Sequence, residues 1–129
     1  MNIEIRNICI GDWCKVYYES YRRFEIERLT AAHFKTHTLL NNIYPIRLTP
    51  KVLESIGFKK VEEFYEMAIG NWTIQSDCKH IRGFVSPSND FSDGFIHPCF
   101  ELPCEYLHEV QRIFRLACIG KTWEEAPKV

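Results

Sequence analysis

The chain has 129 residues, of which 46% are hydrophobic and 14% aromatic, enough for one domain with one packed core. Its 16 Lys and Arg residues against 17 Asp and Glu residues give a formal net charge of -1, which argues against strong, salt-driven binding to duplex nucleic acid. No stretch approaches the roughly 18 apolar residues of a membrane span, and the N-terminus does not resemble a secretory signal peptide. We therefore expect a cytoplasmic protein without a membrane partner, whose six cysteines are reduced thiols.

Three or four short β-strands are predicted in the first 46 residues. Trp13–Tyr18 has high β-propensity, and polar and apolar residues alternate within Tyr21–Leu29. Weaker β-like runs follow at His33–Thr38 and Ile43–Ile46. Short strands at this spacing predict a meander that curls into a small Src-homology-3-like β-barrel. The residues expected inside the barrel are Trp13, Val16, Phe24, Ile26 and Phe34.

A short helix with both ends marked is predicted next. Thr49 is placed to cap its first turn, and Pro50 suits the first helical position, where an amide hydrogen is not needed. Gly57 suits the left-handed residue that ends a helix. These signals predict that the barrel-like part ends close to residue 46.

An antiparallel sheet and a closing helix are predicted for the rest. The expected elements are a hairpin of strands 63–69 and 72–75, strands 79–85 and 95–100, a helix from about 103 to 118 that packs on the sheet, and a frayed tail at 124–129. The predicted fold class is therefore α+β. The chain is expected to be a single domain, 1–129, with residues 1–46 as a β-barrel-like subdomain and 47–123 forming the remainder.

Three segments carry a resemblance to a known family. They are Ile10–Cys14 (IGDWC), Tyr44–Phe58 (YPIRLTPKVLESIGF) and Tyr106–Phe114 (YLHEVQRIF) followed by Gly120-Lys121. They resemble the patterns GDWV, PIPLTPEILEKNGF and VHQLQNLYFALTGKEL of short proteins of uncharacterised function that are encoded by gut Bacteroidetes and by their phages and prophages. The segments occur in the same order and span most of the chain.

The resemblance implies a setting rather than an active site. Arg47 stands where the family pattern has a proline, and Arg112 stands where it has an asparagine. The shared residues are turn, cap and core residues, so no catalytic role is implied. What the resemblance implies is an accessory role in a phage or mobile element.

Two cysteine and histidine pairs suggest a zinc site. Cys78 and His80 are two residues apart, as are His97 and Cys99, so each pair lies on one face of its strand. If residue 78 lies opposite 99 and 80 opposite 97, the four side chains converge as a tetrahedral zinc set. A shift of one residue in this register would place the pairs on opposite faces.

The first hairpin combines tyrosines with arginines. Its candidate ligand-binding residues are Tyr17, Tyr21, Arg22, Arg23 and Arg28. Tyrosine beside arginine suits stacked bases or nucleotide phosphates, which predicts a site for a nucleotide or single-stranded nucleic acid. The alternative is a hairpin whose tyrosines are half buried and whose arginines are solvated. Interleaved glutamates weaken the positive field.

Catalysis by a cysteine nucleophile has little support. Cys104 and His108 are four apart on the last predicted helix and share a face, and a cysteine at a helix start can have a lowered pKa. No third orienting group or oxyanion loop accompanies them. We therefore predict that the chain is not an enzyme.

A protein–protein interaction module is the leading interpretation. The partner would be a host factor, and a homo-oligomer is possible. The alternatives are a nucleotide or nucleic-acid binder that uses the first hairpin, and a small zinc-binding domain. No other cofactor is expected. An exposed apolar surface would favour the first interpretation, whereas a concave patch of Tyr21, Arg22 and Arg23 would favour the second.

Overall fold

A computed structural model describes residues 8–35, 41–85 and 98–129 of the chain. Its first sheet contains β1 (Trp13–Tyr18), β2 (Arg23–Arg28) and β3 (Ile43–Tyr44), all antiparallel, with β1 in the centre. The predicted strands at these places are confirmed. The predicted barrel is not confirmed, because the described residues of this part form an open sheet of three strands in which β2 and β3 are both edges.

A helix replaces the third predicted strand. Residues Ala31–Lys35 form α1, and the rest of the predicted strand, 36–38, lies outside the described residues. His33 stabilises this turn: its Nδ1 accepts the backbone N–H of Thr30 at 2.9 Å, and its Nε2 lies 3.1 Å from Glu27 Oε1. These side-chain bonds favour a turn over the extended backbone that the weak β-pattern predicted.

The two faces of the first sheet have different surroundings. Val16 and Ile43 on one face pack in a small core with Ile8 and Leu29. On the other face, Trp13 is buried, whereas Phe24 is 50% exposed. The expectation that Phe24 lies inside is therefore wrong, because its end of the hairpin extends beyond the side chains that cover Trp13. Val16 and Trp13 are buried as predicted, whereas Ile26 and Phe34 are half-buried.

The helix after the first sheet has the predicted ends. Helix α2 spans Pro50–Ser55, and Thr49 Oγ1 accepts the N–H of Val52 at 3.2 Å. Gly57 has a φ of +110°, the left-handed conformation expected after a helix.

The second sheet is an antiparallel meander of five strands. It contains β4 (Lys59–Val61), β5 (Phe64–Ile69), β6 (Trp72–Ser76), β7 (His80–Val85) and β8 (Phe100–Pro103), paired in chain order. The predicted hairpin and the following strand are confirmed, and β4 was not predicted. The last strand begins later than expected and includes Pro103, which was assigned to the final helix; residues 95–97 lie outside the described part.

The final helix, α3 (Leu107–Leu116), packs its apolar side into the core as predicted. Glu109 closes its first turn by accepting the backbone N–H groups of Glu105 and Tyr106 at 2.9 and 3.0 Å. In the segment expected to fray, 124–129, Pro127 is buried and the N–H of Lys128 donates to Ser55 Oγ at 2.9 Å, whereas the other residues are exposed. Trp123 is buried against Phe114, with ring centroids 5.1 Å apart.

The larger core lies between α2, α3 and the second sheet. It also takes in Trp13 from the first sheet and Trp123 from the C-terminal segment. The indole N–H of Trp13 donates to the backbone oxygen of Trp123 at 2.8 Å, and the indole N–H of Trp123 donates to the backbone oxygen of Ile56. These bonds join three distant parts of the chain. Within the described ranges, no helix is long and apolar enough to cross a membrane.

Candidate functional site

Three aromatic rings form a partly exposed cluster on the first sheet. Tyr17 and Phe24 are direct cross-strand partners with ring centroids 5.0 Å apart, and Tyr44 packs edge-on against Phe24 at 5.5 Å. The ammonium group of Lys15 lies 5.6 Å from the Phe24 centroid. We call Tyr17, Phe24 and Tyr44 the aromatic cluster. Its rings contact one another in favourable tilted and edge-to-face geometries, yet its central ring stays half exposed.

The turn beside the cluster carries further aromatic and basic groups. Tyr21 is exposed, and the guanidinium of Arg23 lies 5.5 Å from the centre of its ring. Arg23 also forms an ion pair of 2.6 Å with Glu25. Arg22 is exposed in the turn with a φ of +52°, a conformation that non-glycine residues rarely adopt. This end of the hairpin therefore presents several side chains on a sharply turned backbone.

The hairpin residues predicted to bind a nucleotide do not meet in one place. Arg28 pairs with Trp13 at one end of the hairpin, whereas Arg23 pairs with Tyr18 at the other. The two arginines are five positions apart along β2, or about 17 Å. Tyr17 and Arg23 also lie on opposite faces of the sheet, because Arg23 pairs with Tyr18 and not with Tyr17. Tyr17, Tyr21, Arg22 and Arg23 remain near the tip, and Arg28 belongs to a different surface.

The register that the zinc hypothesis required is wrong. His80 pairs with Pro103, six residues beyond the predicted partner at position 97, and the N–H of Cys99 donates to Gly83. Cys78 and His80 thus lie near one end of the β7–β8 pair and Cys99 near the other, about 13 Å along the strand from Pro103. His97 lies outside the described residues. In the part of the chain that the structure covers, no three potential ligands are close enough to hold one metal ion.

The buried cysteines do not have the properties of nucleophiles. Burial, assisted by the charge of Glu109, raises the pKa of the Cys104 thiol well above its usual range. Burial and nearby Asp12 raise the pKa of Cys14 to about 12. The reactive species of cysteine is the thiolate, so both groups are held in the unreactive form at neutral pH.

A row of polar side chains crosses the outer face of the second sheet. The amide of Gln75 donates to Glu66 Oε1 at 3.0 Å, Arg82 donates to Gln75 Oε1 at 2.9 Å, and Arg82 Nε lies 3.7 Å from Glu101. Phe64 and Arg82 line an adjacent cavity of about 450 Å³, with the guanidinium 4.6 Å from the ring centroid. The polar groups of this row already bond or pair with one another across the strands, which suits a stable sheet surface.

Asp77 is the most strongly held acid beside this cavity. Its Oδ1 accepts the backbone N–H groups of Lys79 and His80 at 2.9 and 2.6 Å. Burial alone would raise the pKa of Asp77, but these bonds and the nearby His80 ring outweigh it and lower the pKa. The carboxylate is thus committed to closing the turn between β6 and β7.

No family model matches this sequence, and no curated protein or solved structure matches it.

The aromatic cluster is the surface that sequence reasoning described least well. It assigned Phe24 to the interior, and it singled out neither Lys15 nor Tyr44. The alternation of polar and apolar residues in β2 is a sequence signal that shows which residues share a face with Phe24. The cross-strand partners that build the cluster depend on β3, which joins β1 from beyond the α1 region.

Proposed function

We propose that this protein is a non-enzymatic protein–protein interaction module that binds its partner through the aromatic cluster. The observation that carries the proposal is Phe24, half exposed between two partly buried tyrosines close to the turn of a hairpin. Aromatic residues are enriched at the centres of protein interfaces, because they supply much contact area at a low cost in side-chain entropy.

The cluster is prepared for contact before a partner arrives. Tyr17 and Tyr44 fix the orientation of the Phe24 ring, so little further ordering is needed on binding. Covering the exposed half of this ring contributes about 1 kcal/mol from apolar burial. Lys15, whose ammonium lies over the ring, is positioned to meet an acidic group at the edge of the contact. The partner surface that fits is an apolar or aromatic side chain flanked by a carboxylate.

The biological setting is part of the same proposal. The resemblance to short proteins of gut Bacteroidetes and their phages supports an accessory role in which the partner is a host factor. A cytoplasmic location fits the six cysteines, all of which are free thiols and three of which are exposed.

Replacing Phe24 with serine is expected to reduce partner capture by about ten-fold or more while the fold remains intact. The measurement is quantitative mass spectrometry of proteins retained by immobilised wild-type chain and by Phe24→Ser, from lysate of the cells that carry the gene. Leu116→Ser is the matched control, since Leu116 is a large, exposed apolar residue on α3, away from the cluster. Thermal unfolding of each variant verifies that it is folded.

The proposal requires a protein that wild type and Leu116→Ser retain and Phe24→Ser loses by about ten-fold or more, the loss of one interface hot spot. Equal retention by all three chains would contradict it. Light scattering of the purified chain tests a second copy as the occupant. If the wild-type chain is a dimer and Phe24→Ser is a monomer, the partner of the aromatic cluster is a second copy of the chain rather than a host factor.

A further inference from the structure

A small cleft lined by cations lies away from the aromatic cluster. Its volume is about 130 Å³, and its charged lining consists of Arg28 from the end of β2, Arg115 from the last turn of α3, and Lys121 from the segment that follows. The hydroxyl of Thr122 and the ring of Trp123 complete one side. Three separate parts of the chain therefore direct positive side chains towards one small space.

Among the described residues, two carboxylates form ion pairs with these three cations. Asp12 is fully buried behind the cleft and lies 2.6 Å from Arg115 Nη1. Glu124 lies 2.6 Å from Arg28 Nη1. Lys121 forms no ion pair with any residue in the described ranges, so the cleft keeps an excess of one positive charge.

Two donors from residues that line the cleft already bind the carboxylate of Glu124. One of its carboxylate oxygens contacts Arg28, and the other accepts the hydroxyl hydrogen of Thr122 at 3.2 Å. Both partners line the cleft. The Glu124 side chain is 72% exposed, so it leaves this position at little cost. The protein thus shows, with its own carboxylate, where an oxyanion is received.

We propose that this cleft binds a phosphoryl oxyanion, which displaces Glu124 from Arg28 and Thr122. The planar guanidinium groups of Arg28 and Arg115 offer paired donors to such a group, and Lys121 adds a mobile positive charge. The cleft's volume of about 130 Å³ has room for one tetrahedral oxyanion. The shared chemistry is a phosphate group, either free or at the end of a larger molecule.

The test is a titration with inorganic phosphate followed by amide NMR shifts, with chloride adjusted to hold ionic strength constant. Saturable shifts are expected at Gly11, Lys121 and Thr122, which line or adjoin the cleft. Glu124→Gln is expected to tighten binding about two- to five-fold, because it removes the competing carboxylate. Glu125→Gln is the matched control: it makes the same charge change at the next residue, which is exposed and does not hold the contacts that Glu124 makes with Arg28 and Thr122.

A second variant tests the attraction directly. Lys121→Gln is expected to weaken phosphate binding about ten-fold, the effect of losing one charge-assisted hydrogen bond, whereas Lys128→Gln should leave it unchanged. Shifts that do not saturate, or equal effects of Glu124→Gln and Glu125→Gln, would overturn the proposal. Methyl phosphate distinguishes the source: binding equal to that of phosphate assigns a phosphomonoester, and binding of phosphate alone assigns the free ion.

Discussion

Trp123→Ala is expected to lower the free energy of unfolding by about 3–5 kcal/mol, the cost of removing a large buried aromatic side chain. The Trp123 ring packs on Phe114 in the larger core. Its indole N–H donates to the backbone oxygen of Ile56, which would be left without that donor. Its own backbone oxygen receives the indole N–H of Trp13. The substitution therefore removes side-chain contacts to Ile56, just after α2, and to Phe114 on α3, whereas the backbone oxygen that Trp13 binds is kept.

Urea denaturation followed by circular dichroism measures this effect. Trp123→Phe keeps most of the apolar volume and loses the indole N–H, so we expect a cost of about 1–2 kcal/mol. Glu125→Ala is the control, because Glu125 is exposed two residues later. If Trp123→Ala changed stability no more than Glu125→Ala does, the C-terminal segment would not be packed as described.

Arg115→Met is expected to destabilise the fold by about 3 kcal/mol, and Asp12→Asn by about half as much. The two partners form one ion pair of 2.6 Å but have unequal access to water, since Arg115 is 43% exposed and the Asp12 carboxylate is fully buried. Removing the arginine leaves a negative charge that water cannot reach. Removing the carboxylate charge leaves a guanidinium that water can still solvate, and asparagine can keep the bond that Asp12 accepts from the N–H of Cys9.

Chemical denaturation of both variants at neutral pH tests this asymmetry. Arg112→Met is the control for loss of a charge from α3, because Arg112 is exposed on the same helix and forms no ion pair with the described residues. Equal costs for Arg115→Met and Asp12→Asn would indicate that water reaches both groups. If Arg112→Met lowered the free energy of unfolding as much as Arg115→Met does, the ion pair with Asp12 would not be the cause of the destabilisation.

Elements with local causes could be predicted from the sequence. Helix α2 is marked by Thr49, Pro50 and Gly57 within a few residues of one another, and each acts as expected. The β5–β6 hairpin follows from two strand-forming runs around a Gly-Asn turn. The α+β class follows from the number and spacing of such elements.

Features that depend on distant contacts could not be predicted. Trp123 is ordered by Ile56 and Trp13, which are 67 and 110 residues away along the chain. Strands β7 and β8 are joined by a long connection, so no turn motif next to the strands fixes which residues pair. The sequence therefore did not show that His80 pairs with Pro103, six residues beyond the expected partner. The α1 region was assigned to a strand because the bond from Thr30 to His33 has no signature in the apolar pattern.

The candidate surface was predicted in part. The sequence drew attention to the first hairpin through its tyrosines and arginines, and the aromatic cluster does lie there. Arg23 and Arg28 both pair with glutamates and lie at opposite ends of β2, so these two arginines do not form one patch. The half-exposed ring of Phe24 depends on how far the hairpin projects beyond the core, which is a property of the packed fold.

Site-specific photocrosslinking at position 24 tests the proposed interaction surface most directly. A benzoylphenylalanine side chain is introduced in place of Phe24, and in a second chain in place of Leu116, and both chains are irradiated in the cells that carry the gene. The account predicts a covalent adduct with one partner protein from position 24 and none from position 116. The absence of an adduct at 24, or the same adducts from both positions, would contradict it.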